Sequence, residues 1–275
     1  AMYAHVFLPG SSFLEKNGTF TNAERRISRV RKVMAPKNGY EDWEITQMLS
    51  NALGYPMNYK HASEIMDEVA QLTPTFKGVS YEKLDKLESI QWPCNDEFPE
   101  GTPTMHVDEF VRGKGKFFIT EYVPTVEKVN GKFPLIMTTG RILAHYNVGA
   151  QTRRTKNSEW HDEDLIEIHP HDAEERGINE RDWVGINSRS GDTVLRAKIT
   201  DRVQPGVVYT TFHHPVSGAN VITTDNSDWA TNCPEFKVTA VQVTKVTQPS
   251  NWQSKYQKFS EKQIDFVKNG EEKVS

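Results

Sequence analysis

Residues 135–147, Leu135-Ile136-Met137-Thr138-Thr139-Gly140-Arg141-Ile142-Leu143-Ala144-His145-Tyr146-Asn147, decide how the rest of the chain is read. The run from Pro134 to Thr139 has the character of a buried strand, and Gly140 follows it. A residue without a side chain at the end of a buried strand lets a ligand come close to the backbone. The amides beyond it can meet phosphate oxygens, and Arg141 can bind such oxygens with two parallel hydrogen bonds. A tight turn with a salt-bridged arginine accounts for the same residues, and the motif alone does not separate the two readings.

Outward from this segment the second half is strand-rich. Phe117 to Ile119, Trp183 to Ile186, Thr193 to Ile199 and Val207 to Phe212 read as strands, and Lys237 to Val246 alternates almost strictly. One short helix, Asp172 to Arg176, is closed by Gly177. Many short strands with one or two helices predict a compact β-barrel. The first half differs. Ala4 to Leu8 is strand-like, and Ile27 to Val33 alternates imperfectly. Ile45, Met48, Leu49 and Leu53 form a helical stripe that Gly54 and Pro56 stop. Ile65, Met66, Val69 and Leu72 predict a second helix. Leu84, Leu87 and Ile90 predict a third, with Ser80 as its N-cap. Pro and Gly punctuate residues 92–115, a crossover or linker. Beyond Thr247 a polar helical pattern carries a thin stripe of Trp252, Tyr256, Phe259, Ile264 and Phe266, expected as an arm on a partner surface. The class is α+β, with a first region at 1–115, a barrel at 116–247 and an arm at 248–275.

Composition narrows the function. The 275 residues carry 33 Lys and Arg against 37 Asp and Glu, a net charge of −4, which speaks against a globally basic nucleic-acid binder. Hydrophobic residues make up 36% and the mean hydropathy is −0.64, with no window resembling a membrane span. The opening residues lack the basic lead and the length of a signal peptide. Cys94 and Cys233 form no CxxC pair, so no zinc ribbon or iron–sulfur cluster is housed wholly in this chain.

Other constellations have plainer readings. Phe212-His213-His214-Pro215 invites a metal, but neighbouring side chains on a strand point to opposite faces, which favours a structural role. His169-Pro170-His171-Asp172 fits a strand-to-helix turn. Cys233 before Pro234 has no base placed to activate it and reads as a buried structural thiol. The run Arg25 to Lys32 lacks aromatic stacking residues and reads as a salt-bridged surface rather than an RNA contact.

Several segments together resemble the molybdopterin oxidoreductase superfamily, and within it the catalytic subunits of formate dehydrogenases. They are Val6-Phe7-Leu8-Pro9, Glu15 to Arg26, Gly54-Tyr55-Pro56-Met57, Ile90-Gln91-Trp92-Pro93-Cys94, Thr139-Gly140-Arg141 with His145-Tyr146, Pro170 with Asp172-Ala173 and Gly177-Ile178, and Pro234-Glu235-Phe236-Lys237. The resemblance implies a double-psi β-barrel of the aspartate-decarboxylase-like type, preceded by the tail of an α/β domain with helices. It implies a bis-molybdopterin guanine dinucleotide carrying molybdenum or tungsten. The cofactor contacts would be Thr139, Gly140, Arg141, Ile142, Leu143, His145, Tyr146, Asn147, Asn220, Phe236 and Lys237. Phe212 would line the approach of the substrate.

The same resemblance sets expectations about what lies elsewhere. The iron–sulfur CxxC region, the metal-ligating Cys or selenocysteine and the catalytic His and Arg of such proteins fall upstream of anything present, and neither cysteine here matches the ligand. His5 stands where relatives often have Asp. The expected protein is thus the C-terminal portion of a cytoplasmic formate dehydrogenase subunit, without catalytic or metal-ligating residues of its own. Its partners would be the remainder of the subunit and electron-transfer subunits with iron–sulfur clusters and flavin, ending on NAD. A nitrate reductase or other member of the superfamily, or a non-catalytic barrel serving as an interaction module, are the alternatives.

Overall fold

The computed structural model describes residues 4–259. Two compact units divide the chain, Ala1–Ile119 and Thr120–Ser275.

In the first unit β1 (Gly18–Thr21), β2 (Arg26–Val30) and β3 (Ser89–Gln91) form an antiparallel sheet in the order β1-β2-β3. Three helices accompany it: α1 (Asp42–Ala52), α2 (Ala62–Leu72) and α3 (Tyr81–Leu87). The Ser80 hydroxyl accepts from the Lys83 amide, as its position predicts. The core unites Ile27, Ala62, Val79, Tyr81, Leu84, Ile90 and Cys94. Ile90 belongs to β3 and not to the third helix, because Glu88 takes φ 66 and ends the helical backbone. The stripe of α1 is largely uncovered, with Met48, Leu49 and Leu53 exposed. Ala4 to Leu8 is not a strand, and Val6, Phe7 and Leu8 are exposed. The basic run is salt-bridged as expected: Arg29 and Arg31 share Asp85, and Lys32 pairs with Glu41.

The second unit is a closed barrel of six strands. They are β4 (Leu135–Gly140), β5 (Leu165–Ile168), β6 (Trp183–Asn187), β7 (Asp192–Ile199), β8 (Val207–Thr211) and β9 (Thr239–Lys245). Their order around the barrel is β4-β8-β5-β7-β6-β9. Two pairs, β4 with β8 and β5 with β7, are parallel, and the other four are antiparallel. This is a double-psi β-barrel. Closure leaves no free strand edge. Leu135, Met137, Ile166, Ile168, Val184, Ile186, Ala197, Val208, Val241 and Val243 fill its interior, each no more than a few per cent exposed. Between the strands lie α4 (Asn157–Trp160) and α5 (Pro170–Glu175). His169 caps α5 through Nδ1, which accepts from the His171 amide, so the HxH segment is a strand-to-helix turn.

Three expectations change. Phe117 to Ile119 is not a strand: Phe117 is 98% and Ile119 102% exposed, so nothing packs on these apolar side chains. β5 was not expected, being only four residues long with Glu167 inside it. The described part of the arm packs on its own barrel. Residues 251–259 are helical, and the Gln253 amide bonds both the N–H and the C=O of Val194 in β7, at 3.1 and 2.7 Å. Ile264 and Phe266 lie outside the described residues.

Glu41 shows how one buried charge holds the first unit. It caps α1, accepts from the Asn17 amide and Trp43 Nε1 at 3.0 Å each, and pairs with Lys32. Burial alone would raise its pKa, but the Lys32 ammonium and these donors outweigh it and leave it below the usual carboxylate value. A depressed folded pKa contributes stability above the unfolded value of about 4.3, which is lost as pH falls through the folded one. Glu41→Gln is therefore expected to cost about 1–3 kcal/mol at neutral pH. Urea titrations across pH should show that deficit shrinking below about pH 4.

Candidate functional site

Strand register explains why distant loops meet. β4 and β8 run parallel with Gly140 opposite Thr211, so the loops after both strands leave the same end of the barrel. β9 is antiparallel to β4 with Thr239 opposite Met137, which brings Phe236 and Lys237, just before β9, to that end. β5 is antiparallel to β8 with Ile166 opposite Thr210, which adds Asp164 and its predecessors.

Side chains then tie the loops together. The Thr139 hydroxyl donates to the Phe236 carbonyl at 3.0 Å, and Lys237 Nζ donates to the Thr139 carbonyl. Gly140 has no room for a side chain: a Cβ would lie 2.4 Å from Tyr209 Oη. The Arg141 guanidinium sits 5.0 Å from the centre of the Phe212 ring. Arg181, Arg189, Arg196 and Arg202 pair with carboxylates, whereas Arg141 has no carboxylate partner among the described residues. The salt-bridged turn is therefore not what Arg141 forms. It is an exposed cation beside an aromatic ring, free to receive an anion.

The loop from Ile142 to Asn147 hangs on His213, which is fully buried. The Ile142 amide donates to His213 Nε2 at 3.2 Å, and His213 Nδ1 donates to the Asn147 carbonyl. Asn147 adopts φ 49, turning the chain so that its carbonyl reaches that ring. His145 provides a second tie. The Tyr146 amide donates to Thr152 Oγ1, the Thr152 hydroxyl pairs with His145 Nδ1 at 3.0 Å, and His145 Nε2 donates to the His161 carbonyl at 2.7 Å. Leu143 and Tyr146 point outward and are exposed. Asn220 is exposed on the 3-10 turn Ala219–Val221. That segment is joined to β9 where the Thr224 amide meets Thr239 Oγ1 at 3.4 Å, two residues beyond Lys237. The structure thus joins Thr139, Phe236 and Lys237 directly and sets Arg141 over Phe212. It leaves the Asn220 side chain without a contact to them among the described residues.

The argument against a special role for the paired histidines does not hold. His213 and His214 lie beyond the end of β8, not within it, and both are buried. Cys233 is exposed rather than a buried thiol, and its amide donates to Asp228 at 2.8 Å. Asp164 was missed. Inside the run His161-Asp162-Glu163-Asp164 it looks like solvated charge, yet it is 3% exposed. Burial would raise its pKa, but the His214 ring, the Thr211 hydroxyl and the His213 and His214 amides around it hold it far below the usual carboxylate range. Burial pulls the His161 imidazole below its ordinary value. A cavity of about 330 Å³ lies in the first unit, lined by residues such as Phe20, Trp43, Met66 and Tyr81 and by none of these loops.

Comparison with known proteins places this arrangement. The family model described as Molydopterin dinucleotide binding domain matches residues 135–240, from the start of β4 into the beginning of β9, with the loops between them. The model described as Molybdopterin oxidoreductase matches residues 1–52. Over these two stretches the chain is similar to the molybdopterin oxidoreductase family. It is 40% identical over 252 residues to the F420-dependent formate dehydrogenase subunit alpha of Methanocaldococcus jannaschii, covering 90% of this chain and 37% of that protein. It is 38% identical, with the same coverage, to the F420-dependent formate dehydrogenase 1 subunit alpha of Methanococcus maripaludis. The chain thus spans little more than a third of the length of these relatives. Among solved structures it resembles acetylene hydratase from Pelobacter acetylenicus, with a TM-score of 0.66 at 17% identity over 87% of this chain and 38% of that one, a likeness of fold.

Two substitutions probe the family's loop. Gly140→Ala forces a methyl group onto the Tyr209 phenol and is expected to cost about 1–3 kcal/mol, with partial recovery in the Gly140→Ala, Tyr209→Ala double variant. Thermal unfolding of the three proteins reads this out. His213→Phe leaves the Ile142 amide and the Asn147 carbonyl without partners, at about 1–3 kcal/mol each. Limited trypsin digestion should then cut faster at Arg141 and Arg153 than in the parent chain.

Proposed function

We propose that the barrel end formed by residues 139–147, 212–213, 220 and 236–237 grips the guanine dinucleotide of a molybdopterin cofactor in a formate dehydrogenase. The observation that carries this reading is Arg141, a cation without a carboxylate partner, set at the tip of a loop whose backbone is held from beneath by His213. Lys237 stands one hydrogen bond away, on the Thr139 carbonyl. A pyrophosphate needs cations, and Arg141 and Lys237 supply them at this end of the barrel. The donor set therefore fits the group. Arg141 and Lys237 would receive its phosphates. Thr139, Gly140, Ile142, Leu143, His145, Tyr146 and Asn147 would shape the loop around it. Asn220 and Phe236 would flank the nucleotide, and Phe212 would line the way to the substrate.

The bound cofactor, with molybdenum or tungsten, supplies the removal of two electrons and a proton from formate to give carbon dioxide. The chain's own contribution is binding, orientation and electrostatics. The metal ligand, the iron–sulfur cluster and the catalytic groups belong in this reading to the part of the relatives that this chain does not cover. Electrons would pass through partner subunits to NAD, or to F420 as the names of the archaeal relatives suggest. No helix among the described residues is long and apolar enough to cross a membrane, and we place the enzyme in the cytoplasm.

The test uses the full-length subunit. Arg141→Ala and Lys237→Ala each remove a charge-assisted contact, and cofactor affinity should fall roughly 10–100-fold. Metal and pterin content after purification reads this directly. Unchanged content in both variants would favour a non-catalytic interaction module. Assayed alone with formate and an artificial electron acceptor, the 275-residue chain should show no turnover.

A further inference from the structure

Beneath the loop lies a second group of donors that gripping a nucleotide does not use. His161 and His214 come from different segments and face Asp164. His161 Nε2 and His214 Nδ1 are both shielded from solvent, and neither makes a well-formed hydrogen bond, although His214 Nδ1 faces the Asp164 carboxylate. Leaving such a nitrogen unsatisfied costs about 1–3 kcal/mol, and native proteins rarely keep two side by side without a reason. A ligand atom of His161, one of Asp164 and one of His214 all lie within 4.8 Å of one another. The His214 Nδ1 to Asp164 Oδ1 separation is 3.4 Å. That is close to the edge, roughly 3.4 Å, of a tetrahedron built on metal–ligand bonds of about 2.1 Å.

We propose that His161, Asp164 and His214 bind one divalent transition-metal ion of the zinc type. Two imidazoles and one carboxylate suit Zn²⁺, Co²⁺ or Fe²⁺, and they are a poor set for Mg²⁺ or Ca²⁺, which prefer oxygen. The surrounding groups are already arranged to orient the ligands. The Thr211 hydroxyl and the His213 and His214 amides hold the Asp164 carboxylate. His145 Nε2 donates to the His161 carbonyl and fixes the segment that carries this ring. Such outer contacts set ligand orientation and affinity. The fourth position would take water. The ion would staple residues 161–164 to residues 211–214, the two segments to which His145 and His213 tie the Ile142 to Asn147 loop. It is thus a structural site, and it stands whether or not the loop above grips a nucleotide. A second group, His171, Asp172 and Glu175, is weaker: two of its three members are exposed and none has an orphaned nitrogen. It serves as a control.

The test takes the 275-residue chain, stripped with a chelator and with the exposed Cys233 alkylated so that no surface thiolate competes. Co²⁺ is titrated in while its visible d–d absorption is followed, and Zn²⁺ is added in competition. The proposal expects one Co²⁺ per chain, displaced by Zn²⁺. Affinity should fall in His161→Gln and His214→Gln by at least the roughly 10–100-fold that loss of an outer contact alone causes. His171→Gln should bind like the parent. Circular dichroism checks folding. Should His214→Gln not fold, His161→Gln decides, since its side chain is only partly buried and its carbonyl contact is kept. Absence of saturable binding of either ion, or binding that survives His161→Gln, overturns the proposal.

Discussion

The ring of His213 is the constraint on which the functional end of the barrel depends. It has no solvent contact, and both nitrogens are committed to the backbone of one loop, one accepting from Ile142 and the other donating to Asn147. These two roles are compatible only with a neutral ring that carries its proton on Nδ1. A charged ring would set a proton against the Ile142 amide, and the other tautomer would do the same while leaving the Asn147 carbonyl unpaired. The six-residue span from Ile142 to Asn147 is thereby closed over a rigid floor, and the outward side chains of Leu143 and Tyr146 are presented rather than packed. Preorganisation of this kind reduces the entropy lost when a ligand orders a loop.

That single ring reaches the loop only because of strand order. Parallel pairing of β4 with β8 starts the two loops side by side, and antiparallel pairing of β9 with β4 delivers Lys237 to the Thr139 carbonyl. Closure of the barrel fixes all three registers at once, so the loops cannot slide independently. Gly140 is the tightest point: the neighbouring strand's Tyr209 occupies the space in which a side chain would lie. The site is therefore a consequence of the barrel and not an addition to it. The same end gathers Asp164, which accepts three hydrogen bonds from the segment carrying His213 and holds it in place.

Much of this was legible before any coordinates. β4, β6, β7, β8 and β9 announce themselves because runs such as Thr193 to Ile199 and Val207 to Thr211 are β-branched and long enough to show a period. The helices follow from stripes and from the Ser80 cap. The loop around Arg141 stood out because Gly140 ends a buried strand. Other features were not legible because they depend on partners. Phe117 to Ile119 has strand composition, but composition does not supply a neighbour to pair with. The stripe of α1 correctly signals a helix, yet it is uncovered in this chain. β5 is short and interrupted by Glu167. Asp164 is separated from His213 and His214 by some fifty residues and meets them only through the register of β5 on β8, which no local pattern encodes.

The most direct measurement is ¹⁵N nuclear magnetic resonance of the imidazole of His213, assigned by its disappearance in the His213→Phe variant. The account predicts a neutral ring with a slowly exchanging proton on Nδ1 and a shift typical of an acceptor at Nε2. A ring protonated on both nitrogens, or one carrying its proton on Nε2, would contradict it, because the Ile142 amide would then have no acceptor in that ring.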